Sequence, residues 1–93
     1  MLVLNRKPGE SVEIVQYGVT VKVARVIDSQ SVWLFVHICK DGGTFGPLRQ
    51  GDKINVHDVM ICVTGFHGSK VKLGFDAPKG IRIMRTELLR GVA

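Results

Sequence analysis

The chain has 93 residues, with 13 Lys and Arg against 8 Asp and Glu, and a formal net charge of +5. Hydrophobic residues at 45% and charged residues at 23% exclude a disordered chain and predict one domain, residues 1–93. A chain this short buries only about 60–65% of its unfolded surface, so association with a second copy is an accessible source of stability.

The hydrophobic period is two almost throughout, which predicts strands. Leu2, Leu4 and Arg6 share one face of the first. Lys7-Pro8-Gly9-Glu10 is a turn, because Pro presets φ and Gly tolerates a positive one. Val12 and Ile14 alternate with polar neighbours, and Tyr17-Gly18 ends that run. Val19, Val21 and Val23 predict a half-buried strand, followed by a turn at Asp28-Ser29-Gln30-Ser31. Val32 to Ile38 is apolar enough for a strand buried on both faces or at an interface, with Trp33 and Phe35 in that buried role. Residues 40–51 carry four glycines and a proline, and read as a loop.

Ile54 to Val63 reads as one strand. After a turn at His67-Gly68-Ser69, Val71, Leu73 and Phe75 alternate with Lys72 and Gly74. Ala77-Pro78-Lys79-Gly80 is a turn, and Ile81, Ile83 and Arg85 share a face of a last strand. Glu87 to Arg90 suits one helical turn, which Gly91 ends. The predicted class is all-β with a short C-terminal helix.

An internal match runs along the chain. Val19, Val21, Val23 and Val26 match Val59, Ile61, Val63 and Phe66 at an offset of 40. Val32, Leu34 and Lys40 match Val71, Leu73 and Lys79 at an offset of 39. A duplicated hairpin produces this pattern, and so do two unrelated alternating hairpins.

Several classes are excluded. There is no apolar run of about 18 residues to span a membrane. The N-terminus lacks the basic and apolar regions of a signal peptide, so the cytoplasm is the expected compartment. Cys39 and Cys62 lie in strand-like apolar runs and are expected to be buried free thiols. The spacings of His37 with Cys39 and of His57 with Cys62 are not those of a zinc site, so no metal is expected. No nucleophile elbow, phosphate loop or paired-carboxylate motif is present, so neither catalysis, a cofactor nor a small-molecule substrate is expected.

All of the net charge comes from the two ends. Arg6 and Lys7 face Glu10 near the start. Lys70, Lys72, Lys79, Arg82, Arg85 and Arg90 face Asp76 and Glu87 near the end, while residues 11–69 balance five bases with five acids. Leu2-Leu4-Arg6 and Ile81-Ile83-Arg85 are both apolar strand faces finishing in arginine. Side by side, they would flank a platform for single-stranded nucleic acid, with guanidinium groups on phosphates or stacked on bases. Alternatively the four apolar residues are core, and each arginine marks where its strand leaves it.

Two segments carry a more specific signal. The opening MLVLNRKPGESVEI resembles the first strand and turn of the CsrA/RsmA family, the carbon storage regulators. The closing GDKINVHDVMICVTGFHGSKVKLGFDAPKGIRIMRTELL resembles the rest of that family, most specifically in Val71 to Lys79 followed by Ile81, Ile83, Arg85 and Glu87. Residues 15–50 are the departure: an insertion or duplicated hairpin of 36 residues. The resemblance implies a small intertwined β homodimer, enlarged here by an additional central β-hairpin. It places the first strand of one chain beside the last strand of the other.

The same resemblance implies a bacterial RNA-binding regulator. Its RNA carries GGA in exposed or hairpin-loop positions of messenger leaders, and binding blocks ribosome access. Decoy small RNAs and a flagellar assembly protein are the antagonists it implies. By position, Leu4, Arg6 and Lys7 fall on the RNA-binding first strand. Ala77, Pro78 and Lys79 fall on the loop lining the pocket, and Ile83 and Arg85 on the last strand. Asn5, Gly80 and Met84 depart from the family's usual residues. A second reading makes the chain a protein-interaction module, using the apolar segment 32–38 to hold a partner with little RNA affinity.

Overall fold

The computed structural model describes residues 1–38 and 41–86. Within them lie β1 (Leu2–Arg6), β2 (Ser11–Ile14), β3 (Val19–Ile27), β4 (Ser31–Ile38), β5 (Asp41–Arg49), β6 (Lys53–Val56), β7 (Val59–His67), β8 (Lys70–Asp76) and β9 (Ile83–Arg85). A 3-10 turn, Val15–Tyr17, joins β2 to β3 and closes on Gly18 at φ 62°. The expected helical turn at Glu87–Arg90 lies outside the described residues, as does Cys39. Cys62 is a half-buried free thiol. No helix among the described residues is long and apolar enough to cross a membrane.

The strands form two antiparallel sheets, in the orders β1-β8-β7-β6 and β5-β4-β3-β2-β9. Alternation builds the core between them, because every second side chain points inward. The larger sheet contributes Val12, Ile14, Val19, Val21, Val23, Val32, Leu34 and Val36. The smaller contributes Val56, Val59, Ile61, Val63, Val71, Leu73 and Phe75. These residues form one continuous cluster. It is rich in β-branched side chains, which suit the pleated surface.

The ends of the chain cross between the sheets. β1 leaves its sequence neighbour β2 and pairs with β8, with Leu4 opposite Leu73 and Arg6 opposite Val71. β9 leaves β8 and pairs with β2, with Ile14 opposite Ile83 and Val12 opposite Arg85. The first and last strands thus sit on different sheets, both held within one chain. Residues 15–50 supply the 3-10 turn, β3, β4 and β5, which make the centre and one edge of the larger sheet.

Three local readings need correction. Residues 41–49 form a strand, although the composition reads as a loop. The glycines are there because aromatic rings of β4 lie over them. A Cβ on Gly42 would stand 2.6 Å from Cζ of Phe35, and one on Gly46 would stand 2.9 Å from both the Trp33 ring and the Val32 carbonyl oxygen. Second, residues 54–63 are two strands, parted by a tight turn at His57-Asp58 with His57 at φ 53°. Third, β4 is buried on one face only. Val32, Leu34 and Val36 point inward, while Phe35 is 37% exposed.

Leu34 and Leu73 occupy matching central positions of the two sheets and are fully buried. Truncating either to Ala should cost about 2–5 kcal/mol, read as a lower urea midpoint at unchanged slope. Gly46→Ala should destabilise more than Gly42→Ala. The first meets a backbone oxygen, whereas the second meets only the far edge of a half-exposed ring that can turn aside.

Candidate nucleic-acid interface

The edge strands β1 and β9 approach each other where the two sheets meet. A shallow hollow there is lined by Met1, Leu2, Phe75, Asp76, Ala77, Ile81 and Ile83. It joins the start of β1 to the loop that follows β8. The linking side chains run through β2. Arg6 donates from Nη1 to the Ser11 carbonyl oxygen at 3.4 Å, and the Ser11 hydroxyl bonds the Thr86 hydroxyl at 2.7 Å. Thr86 directly follows β9, so a short polar chain connects Arg6 to the end of the last strand.

Arg6 is only 4% exposed. Its Nε donates to the Asn5 carbonyl oxygen at 2.8 Å and stands 3.9 Å from Oε1 of Glu10. Glu10 in turn accepts the Lys7 backbone N–H at 2.8 Å, which pins the turn between β1 and β2. A buried guanidinium satisfied in this way sets the position of its neighbours. Lys7 stands beyond it and is exposed.

The loop after β8 is held from an unexpected place. Gln16, in the 3-10 turn, donates from Nε2 to the Gly80 carbonyl oxygen at 2.6 Å and accepts the Arg82 N–H at 2.8 Å. The Val15 N–H bonds the Arg82 carbonyl oxygen at 2.9 Å, and the Ile81 N–H reaches the Pro78 carbonyl oxygen at 3.2 Å. Ala77-Pro78-Lys79 is therefore a braced bend. Gly80 completes it at φ 93°, a conformation that favours glycine.

The eight residues predicted from sequence divide into two sets. Leu4 and Ile83 are half-buried and pack against the core, so they support the face from behind. Arg6 is buried, with its guanidinium against Asn5, Glu10 and Ser11 at the β1–β2 turn. Lys7, Pro78, Lys79 and Arg85 are exposed, and Ala77 is half-buried in the hollow. The exposed apolar surface of β1 belongs instead to Leu2, at 42%, and Val3, at 48%.

Sequence reasoning counted Lys70 and Lys72 as charge but did not place them. Alternation puts both on the outer face of β8, with Lys72 opposite Asn5 and Lys70 opposite His67. Asn5, His67, Lys70 and Lys72 together line a second hollow beside β1. Period two in Lys70-Val71-Lys72 was the available signal, once β1 was known to pair with β8. Exposed Arg82 adds a further cation, its Nη2 lying 3.5 Å from the Met84 sulfur. Among the described residues, no group of three His, Cys, Asp or Glu side chains could hold a metal.

The interface thus combines exposed Lys7 after β1, exposed Arg85 on β9, a braced loop and a shallow hollow in which apolar side chains sit beside Asp76. Single-stranded nucleic acid fits such a surface, since cations meet the phosphates and apolar edges support the bases. Residues 48–93 match the model of the CsrA global regulator protein family. The translational regulator CsrA of Desulforamulus reducens is 38% identical over 45 residues, covering 47% of this chain and 56% of that protein. The translational regulators CsrA of Caldicellulosiruptor bescii and Thermotoga maritima are each 44% identical, over 45 and 41 residues. Those matches cover 47% and 43% of this chain, and 58% and 49% of the relatives. The chain spans about half the length of the curated relatives it matches. No solved structure matches it. Residues 48–93 are thus similar to the CsrA family of global regulators.

Proposed function

We propose that this chain binds single-stranded RNA across β1, the loop 77–82 and β9, and regulates translation through that contact. The observation that carries the proposal is the meeting of β1 and β9 at one rim, with Lys7 after β1, Lys79 and Arg82 in the loop after β8, and Arg85 on β9 all exposed. The similarity of residues 48–93 to a regulator family supports it, as does the confinement of net charge to the two end segments of the chain.

The RNA is a GGA-containing hairpin loop in a messenger leader, and its capture excludes the ribosome. Decoy small RNAs carrying the same motif compete for the face. Arg85 makes the charged contact at the end of β9, where a planar guanidinium can pair with a phosphate or a guanine edge. Lys7 and Lys79 contact phosphates, and Pro78 with Ala77 forms the wall against which a base packs. Leu4 and Ile83 hold the strands at their spacing, and Arg6 fixes the β1–β2 turn that carries Lys7. The chemistry is recognition, with no bond made or broken.

Arg85→Ala should weaken binding to a GGA-loop hairpin roughly 5- to 150-fold, about 1–3 kcal/mol, while the circular dichroism spectrum stays that of the parent. Unchanged affinity would refute the assignment. Scrambling GGA should weaken binding to a similar extent, and equal affinity for both RNAs would leave only charge recognition. Lys79→Ala should weaken binding to all sequences alike and lower the salt slope of log K by about 1. A slope indifferent to Lys79 would remove it from the interface.

A further inference from the structure

We propose that one chain is by itself the complete strand-exchanged unit, carrying one RNA face, and that its second, symmetry-related edge has lost the means to bind RNA. The single-face part rests on the function proposed above; the self-pairing part does not.

The repeat is built into the hydrogen bonds. Glu10 accepts the Lys7 N–H at 2.8 Å, and Asp52 accepts the Arg49 N–H at 2.8 Å. The Gly9 N–H reaches the Val23 carbonyl oxygen at 2.8 Å, and the Gly51 N–H reaches that of Val63 at 2.8 Å. Val23 returns a bond to Glu10 at 2.9 Å, and Val63 to Asp52 at 3.0 Å. The irregularity between Val23 and Arg25 in the β3–β4 ladder recurs between Val63 and Gly65 in β7–β8. So β1 to β4 correspond to β5 to β8. As β1 pairs with β8 of the other half, β5 pairs with β4.

Equivalent turns also touch. Tyr17 stacks obliquely on His57, with ring centroids 4.7 Å apart, and its hydroxyl lies 3.1 Å from Oδ2 of Asp58. The Ser29 hydroxyl bonds the Gly68 carbonyl oxygen at 2.5 Å. Two half-chains therefore face each other about an approximate twofold axis, and each lends its first strand to the other's sheet. A second chain has no strand to supply at the β1–β8 or β5–β4 ladders.

The symmetry fails at the RNA face. Arg6 pairs with Val71, and the residue opposite the equivalent Val32 is Leu48. Leu4 pairs with Leu73, and the residue opposite the equivalent Leu34 is Phe45. Between Phe45 and Leu48 the ladder shifts register, where β1 runs straight. Among the described residues, β9 has no counterpart. β4 ends at Ile38 and β5 begins at Asp41, too short a span for a loop and strand like residues 77–85. β6 is accordingly the outer strand of its sheet, where the equivalent β2 is covered by β9. The second edge thus lacks the counterparts of Arg6 and Arg85.

The test is native mass spectrometry of the full chain, alone and titrated with a GGA-loop RNA hairpin. The expected species are a 10.2 kDa monomer and a complex of one chain with one RNA. Arg85→Ala should remove the complex, and Arg49→Ala on the second edge should leave its affinity within twofold of the parent. A particle of twice the monomer mass overturns the self-pairing. Two RNAs per chain, or loss of binding in Arg49→Ala, overturns the single face. A monomer that binds no RNA upholds the self-pairing and refutes the RNA reading and the single face with it.

Discussion

The structure depends on the exchange of edge strands between its two sheets. β1 is separated from β2 by one short turn, yet the two strands belong to different sheets. The turn that makes this crossing is over-determined. Glu10 holds the Lys7 N–H and faces Arg6, while Gly9 and Glu10 both bond Val23 of β3. With the crossing in place, Leu4 lies on Leu73 and the core closes from both sides. Without it, β8 would be a bare edge carrying Val71, Leu73 and Phe75 half-covered, a surface prone to pair with other chains.

The same crossing creates the candidate site. A strand that leaves one sheet for the other must pass the rim between them, and β9 arrives at that rim from the opposite direction. Their cations are gathered there by topology, from positions almost eighty residues apart. The braces are local: Gln16 for the loop after β8, and the Ser11–Thr86 hydroxyl pair for the end of β9. Gln16 lies in the segment with no counterpart in the family resemblance, so that segment contributes to the site as well as to the sheet. Tyr17 beside it is tied to Asp58, and burial together with that hydrogen bond pushes its phenol up from the usual value.

Much of this was legible in the residues. Alternation of Val19, Val21, Val23 and of Val71, Leu73, Phe75 gave the central strands, because a half-buried strand has no other economical pattern. What failed to show depended on neighbours distant in sequence. Gly42 and Gly46 look like loop residues until the rings of Phe35 and Trp33 are laid across them. The His57-Asp58 turn has no Gly or Pro to mark it, since His57 itself takes the positive φ. Leu4 and Ile83 were legible as strand residues facing one way. Only the pairing showed that this way is inward, and that Lys70 and Lys72 face out beside Asn5.

The central claim is that RNA lies across β1, residues 77–82 and β9. Its most direct test is an amide chemical-shift map of the isotope-labelled chain during titration with a GGA-loop hairpin. The account predicts that the largest shifts fall on residues 2–7 and 77–86, with the β5 and β6 amides unmoved. Shifts centred on β5, β6 or the exposed face of β4 would contradict it.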